Sequence, residues 1–89
     1  KIIALENNHQ KSIDISSVQA RKILGYYDVA LVLGEERRGV SKTILSMCDK
    51  IVEIPMHGHK ESLNVAVAFG IAAFYISSLD RLVAFVDII

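Results

Sequence analysis

The chain predicts an α/β domain built on a parallel sheet, and three features of the sequence carry that expectation. Short apolar runs rich in β-branched residues, at 1–6, 29–34 and 50–56, have strand length and lack the polar alternation of a half-exposed strand. Segments with helix start signals stand between and after them. Strand and helix therefore alternate, the pattern of parallel α/β folds rather than of bundles or sandwiches.

KIIALE opens the chain as a buried strand, β-branched and too short for a helix. NNHQKS is polar and reads as a loop. SSVQARKIL reads as a short helix capped by Ser16 or Ser17 and stopped by Gly25. DVALVLG is the second strand, and the loop EERRGV follows. Ser41 then caps a short helix running to about Met47, with Ile44 and Leu45 facing inward. KIVEIPM is the third strand, with Pro55 at its end, where a missing N–H does least harm. After the polar loop HGHKE, Ser62 is expected to cap a long helix to about Leu79, with the option of continuing through RLVAFV. The stretch VAVAFGIAAFYI is apolar all round, which predicts a fully buried helix. Its small residues allow close approach by the chain's own core or by a two-fold partner.

Eighty-nine residues make one small domain, which buries only about 60–65% of its unfolded surface. Hydrophobic residues make up 52% of the chain, above the usual level of about 45–50%. A chain this short and this apolar is expected to share surface with another segment or a partner subunit. It opens on Lys1 inside a strand-like run, so it reads as a fragment of a longer protein. Ten basic residues balance ten acidic ones, and composition by itself argues mildly against a nucleic-acid partner. The single Cys48 excludes an internal disulfide framework and suits a reducing cytoplasm. No signal-peptide pattern leads the chain. The uncharged stretch 62–79 approaches the length of a membrane span, but its polar residues make a buried helix the better reading.

Two loop-to-helix junctions carry the chemistry. In each, a strand ends, a glycine-bearing polar loop follows, and a helix starts with unpaired, polarised amides. Gly34, Glu36, Arg38 and Gly39 form the first; Ile54-Pro55-Met56 and Ser62-Leu63-Asn64-Val65 form the second. These residues, in this order and spacing, resemble the SpoU (TrmH-like) RNA ribose methyltransferases of the trefoil-knotted SPOUT class. The resemblance runs from about Ile2 to Ile76 and covers only the C-terminal part of a family catalytic domain. It implies a parallel-sheet α/β knot and transfer of a methyl group from S-adenosyl-L-methionine to a ribose 2′-hydroxyl of rRNA or tRNA. It also implies a homodimer formed through the last helix. The spacing from Gly34 to Ile54 to Leu63 is closer to the ribosomal guanosine branch than to the tRNA branch.

Residue by residue, the resemblance places Gly34, Ile54 and Leu63 at the cofactor, with Ile54 and Leu63 acting largely through backbone groups. It places Glu36, Ser62 and Asn64 at the methyl-transfer site. Each has an ordinary alternative: Gly34 as a turn glycine, Glu36 as a solvated loop charge, Ser62 and Asn64 as helix caps, Ile54 and Leu63 as core. The family pattern has asparagine where this chain has Glu35 and glycine where it has Arg37, so the first loop departs from it twice. His57 and His59 lack further ligands of metal-site spacing, and no metal is expected. Cys48 reads as a small buried hydrophobe. The family's upstream asparagine–arginine motif, whose arginine is proposed to activate the ribose hydroxyl, is not matched by Asn7, Asn8 or Arg21. A non-catalytic cofactor-binding or dimerisation module is therefore the competing reading for this segment.

Overall fold

Strand β1 (Ile2–Leu5) lies at the centre of the sheet, and its sequence explains why: Ile3, Ala4 and Leu5 are all buried, so both faces of the strand are covered. The computed structural model describes residues 1–7, 9–34, 38–56, 64–81 and 83–87. After β1 come β2 (Ile13–Asp14), α1 (Val18–Leu24), β3 (Val29–Leu33), α2 (Lys42–Met47), β4 (Lys50–Glu53), α3 (Val65–Ser77) and β5 (Val83–Asp87). Among the described residues five strands form one sheet in the order β2-β4-β1-β3-β5, and every neighbouring pair is parallel.

The register separates the two faces. Ile3 lies beside Leu31, and Leu5 beside Leu33 and Val52. These residues form one cluster with Ala20 and Leu24 of α1 and Ala72 and Ile76 of α3. Ala4, Val32 and Ile51 alternate to the other face and are also buried, as is Val40. Ile3, Leu24, Leu31 and Ile76 are fully enclosed, and each contributes about 1.5–3 kcal/mol of burial.

The caps follow the sequence at two helices and correct it at the third. Ser17 Oγ accepts from the Ala20 amide at 3.1 Å, and Ser41 Oγ from Ile44 at 3.3 Å. Asp14 prepares the first cap, its Oδ1 accepting from both the amide and the hydroxyl of Ser16 at 2.7 Å. The cap of α3 is Asn64 rather than Ser62: its Oδ1 accepts from Ala66 at 2.9 Å, and the helix begins at Val65. Asn64 therefore stands before the first turn, and the expected helix start at Ser62 is too early.

Two further expectations are overturned. RLVAFV does not extend α3. The chain turns at Ser78 and Leu79, Asp80 takes the left-handed conformation (φ 61°), and the β-branched run that follows pairs with β3 as strand β5. Arg81 Nε donates to the Gly25 carbonyl at 3.0 Å and anchors that turn to the end of α1. Nor is α3 fully buried. It encloses Ala72 and Ile76, while Val67, Ile71 and Phe74 are 51%, 44% and 77% exposed. A sheet covers one side of a helix, and the opposite stripe of an all-apolar helix then faces outward.

Candidate functional site

In a parallel sheet all strands end on the same edge, and ligands of α/β proteins bind there. Gly34 follows β3, Glu6 and Asn7 follow β1, and Ile54 follows β4, so the exits of the three central strands lie side by side. Asn64, at the start of α3, completes the described part of the second motif.

The first motif is closed on itself. Gly34 is buried, and a side-chain carbon added to it would overlap the Gly39 carbonyl group and the Val40 nitrogen. The glycine is required because main chain packs on main chain there. Gly39 has φ +67° and sits directly over the Glu6 carboxylate, so it is constrained by both conformation and space. The Val40 amide donates to Glu6 Oε2 at 2.6 Å. Glu6 is held in turn, its amide donating to the Val52 carbonyl at 2.9 Å and its carbonyl accepting from Ser12 Oγ at 2.6 Å.

Asn7 binds the start of the second motif. Its Nδ2 donates to the Ile54 carbonyl at 2.8 Å, and its Oδ1 accepts from the Ile54 amide at 3.2 Å. One side chain thus engages both backbone groups of a residue expected to meet the cofactor through its backbone. The Ile54 carbonyl keeps a second lone pair; its single N–H is used.

Of the residues selected from sequence, Gly34 and Ile54 come to the same sheet edge and Asn64 is the cap of α3. Glu36, Ser62 and Leu63 lie outside the described residues, as do His57 and His59. Among the described residues, no group of three metal-type side chains gathers, and no helix is long and apolar enough to cross a membrane. Cys48 is half-buried. Burial, and then the neighbouring Asp49 charge, push its thiol pKa up, and its Sγ donates to the Ile44 carbonyl at 3.3 Å. It is placed as an inert packing group. Sequence reasoning missed Glu6 and Asn7. Their signal was an acid and an amide directly at the exit of a buried strand, and it becomes legible only once β1 is known to lie between β3 and β4.

A parallel sheet whose motif-bearing loops leave from one carboxyl edge defines a domain of the ligand-binding α/β class. Residues 1–74 match the SpoU rRNA Methylase family, and the chain belongs to that family. It is similar to an uncharacterised tRNA/rRNA methyltransferase of Mycobacterium leprae, 33% identical over 92% of this chain and 24% of that protein. It is 48% identical to the Burkholderia 23S rRNA (guanosine-2′-O-)-methyltransferase RlmB over 52% of this chain and 19% of the relative. Among solved structures, the TrmH/SpoU tRNA modifying enzyme of Aquifex aeolicus superposes with a TM-score of 0.69 at 32% identity. That match covers 86% of this chain and 36% of the other. The chain spans about a quarter of the length of the curated relatives it matches.

Proposed function

We propose that the protein carrying this chain is an S-adenosyl-L-methionine-dependent RNA 2′-O-ribose methyltransferase acting on rRNA or tRNA, and that residues 1–89 are part of its catalytic domain. Membership of the SpoU family carries the reading, together with relatives named as 2′-O-methyltransferases of 23S rRNA and of tRNA guanosine 18. The donor set fits an adenosyl group. Ile54 offers a carbonyl lone pair suited to an exocyclic amine while its side chain packs in the core, and no charged side chain is buried among the described residues. The trefoil crossing belongs to the same proposal.

When bound, S-adenosyl-L-methionine supplies a methyl group already activated by its sulfonium. The protein's task is then alignment and removal of the hydroxyl proton. Gly34, Ile54 and Leu63 are assigned to hold the adenosyl end. Asn64, whose Oδ1 is held by the Ala66 amide, is assigned to orient the ribose. Ser62 and Glu36 are assigned to the same hydroxyl, as an orienting group and a charge beside it.

The outward stripe of α3, Val67, Ile71 and Phe74, is proposed as the seam of a homodimer, and a cytoplasmic location follows from the RNA substrate. Titration of S-adenosylhomocysteine into the full-length protein tests the cofactor half of this reading. Micromolar binding supports it. Absence of binding, with the protein folded, favours an assembly module without turnover.

A further inference from the structure

We propose that Glu6 and Asn7 are the positioning residues of this site, a two-armed clamp at the exit of β1 that sets both motif loops. The inference rests on the cofactor reading above and adds to it the means by which two separate loops acquire one geometry.

The argument begins with strand order. Among the described residues, β1 is the only strand bonded to both β3 and β4. The first motif leaves from β3 and the second from β4, so neither strand can set the other's loop. The chain just past β1 touches both. Glu6 reaches Val40 at the far end of the first loop, across 34 residues of sequence, and Asn7 reaches Ile54 across 47. Each arm supplies what the backbone no longer can. The Glu6 amide makes the last bond to β4, at Val52, and the Asn7 side chain then mimics one more rung by using both the N–H and the C=O of Ile54.

The chemistry of each arm suits the task. A carboxylate accepting from an amide makes a charge-assisted bond, stronger than a neutral one. The Glu6 carboxylate also lies where any side chain at position 39 would go, so the glycine and the acid are matched to one another. Asn is suited to its place because it alternates a donor and an acceptor across a single planar group. The main chain of Glu6 is further held by Ser12, whose hydroxyl donates to its carbonyl.

Four variants of the full-length protein separate this role from simple structural support. Glu6→Leu removes the acceptor and Glu6→Gln keeps one; Asn7→Ala removes both bonds to Ile54 and Asn7→Asp keeps only the acceptor. Two readouts are taken: amide hydrogen exchange at Val40 and Ile54 without ligand, and S-adenosylhomocysteine affinity by calorimetry alongside methyl-transfer kinetics. Glu6→Leu is expected to speed exchange at Val40 and Asn7→Ala at Ile54. Each should weaken cofactor affinity roughly tenfold, equivalent to about 1.4 kcal/mol, the worth of one hydrogen bond. The loss should fall on KM for the cofactor, leaving kcat at saturation within about twofold, as expected when only ground-state binding is lost. Glu6→Gln should recover most of the affinity and Asn7→Asp part of it. Should either removal variant not fold, the exchange and affinity of its conservative counterpart decide that arm. Wild-type affinity in both removal variants, or conservative variants as impaired as the removals, overturns the clamp. A wild-type protein that binds no S-adenosylhomocysteine sinks the functional reading itself and takes this inference with it, so the two failures are told apart.

Discussion

Gly34→Ala probes the closure of the first motif with a single carbon. The added Cβ would overlap the carbonyl group of Gly39 and the nitrogen of Val40, all of them main-chain atoms. Backbone cannot rotate away as a side-chain tip can, so the 39–40 segment has to lift. Overpacking of this kind costs about 1–3 kcal/mol. A lifted Val40 amide also loses its 2.6 Å bond to Glu6, worth about 1.5–3 kcal/mol when the partner is charged. The total of about 2.5–6 kcal/mol is a large part of the roughly 5–15 kcal/mol that stabilises an ordinary domain. Gly39→Ala meets only the tip of the Glu6 side chain and the left-handed backbone penalty of about 1–2 kcal/mol, so it should cost less. Urea unfolding followed by circular dichroism gives both numbers. Adding Glu6→Leu to Gly34→Ala should cost little more, because the bond is already broken. A Gly34→Ala shift below about 0.5 kcal/mol, the range of a neutral surface change, would refute the reasoning.

Three further outcomes are expected. Phe74→Asp with Ile71→Asp, placed on the exposed stripe of α3, should convert a dimer to a monomer in sedimentation velocity with little change in unfolding midpoint; an unchanged sedimentation coefficient would remove the seam from that face. Cys48 should react with iodoacetamide at pH 8 more slowly than an unfolded-chain cysteine, since the folded thiol is held protonated. The same upward shift stabilises the fold fully below the unfolded thiol's pKa of about 8.5, and that contribution is lost as pH rises through the folded value. In the full-length protein, Glu36→Ala and Asn64→Ala should lower turnover more than cofactor affinity, and the 89-residue chain alone should transfer no methyl; radiolabel incorporation that is normal in both variants would show that the chemistry lies elsewhere.

How much was legible depended on whether a signal was local. β1, β3 and β4 announced themselves as continuous apolar runs, and Ser17 and Ser41 are caps because serine there satisfies a loose amide in the next turn. β2 is two residues long, Ile13 and Asp14, too short to leave a pattern, and exists only through its pairing with Val52 and Glu53. β5 was hidden because RLVAFV is apolar at either period; the left-handed Asp80 decides the matter, and nothing in its composition marks that. The exposed stripe of α3 was missed for a related reason, since an all-apolar helix does not reveal which side its own chain covers. At the site, Gly34 was found for its ligand, yet what requires glycine there is the backbone of residues 39 and 40. Glu6 read as the end of the first strand and Asn7 as loop polarity, and their partners lie 34 and 47 residues away.

The central claim is ribose methylation, and one measurement meets it directly. The full-length protein is incubated with unmodified rRNA and tRNA and methyl-labelled S-adenosyl-L-methionine, and the RNA is then hydrolysed in alkali. A 2′-O-methyl group removes the hydroxyl that alkaline cleavage needs, so the account predicts label in alkali-resistant dinucleotides. Label confined to mononucleotides, the mark of base methylation, would contradict it, as would no transfer to either RNA.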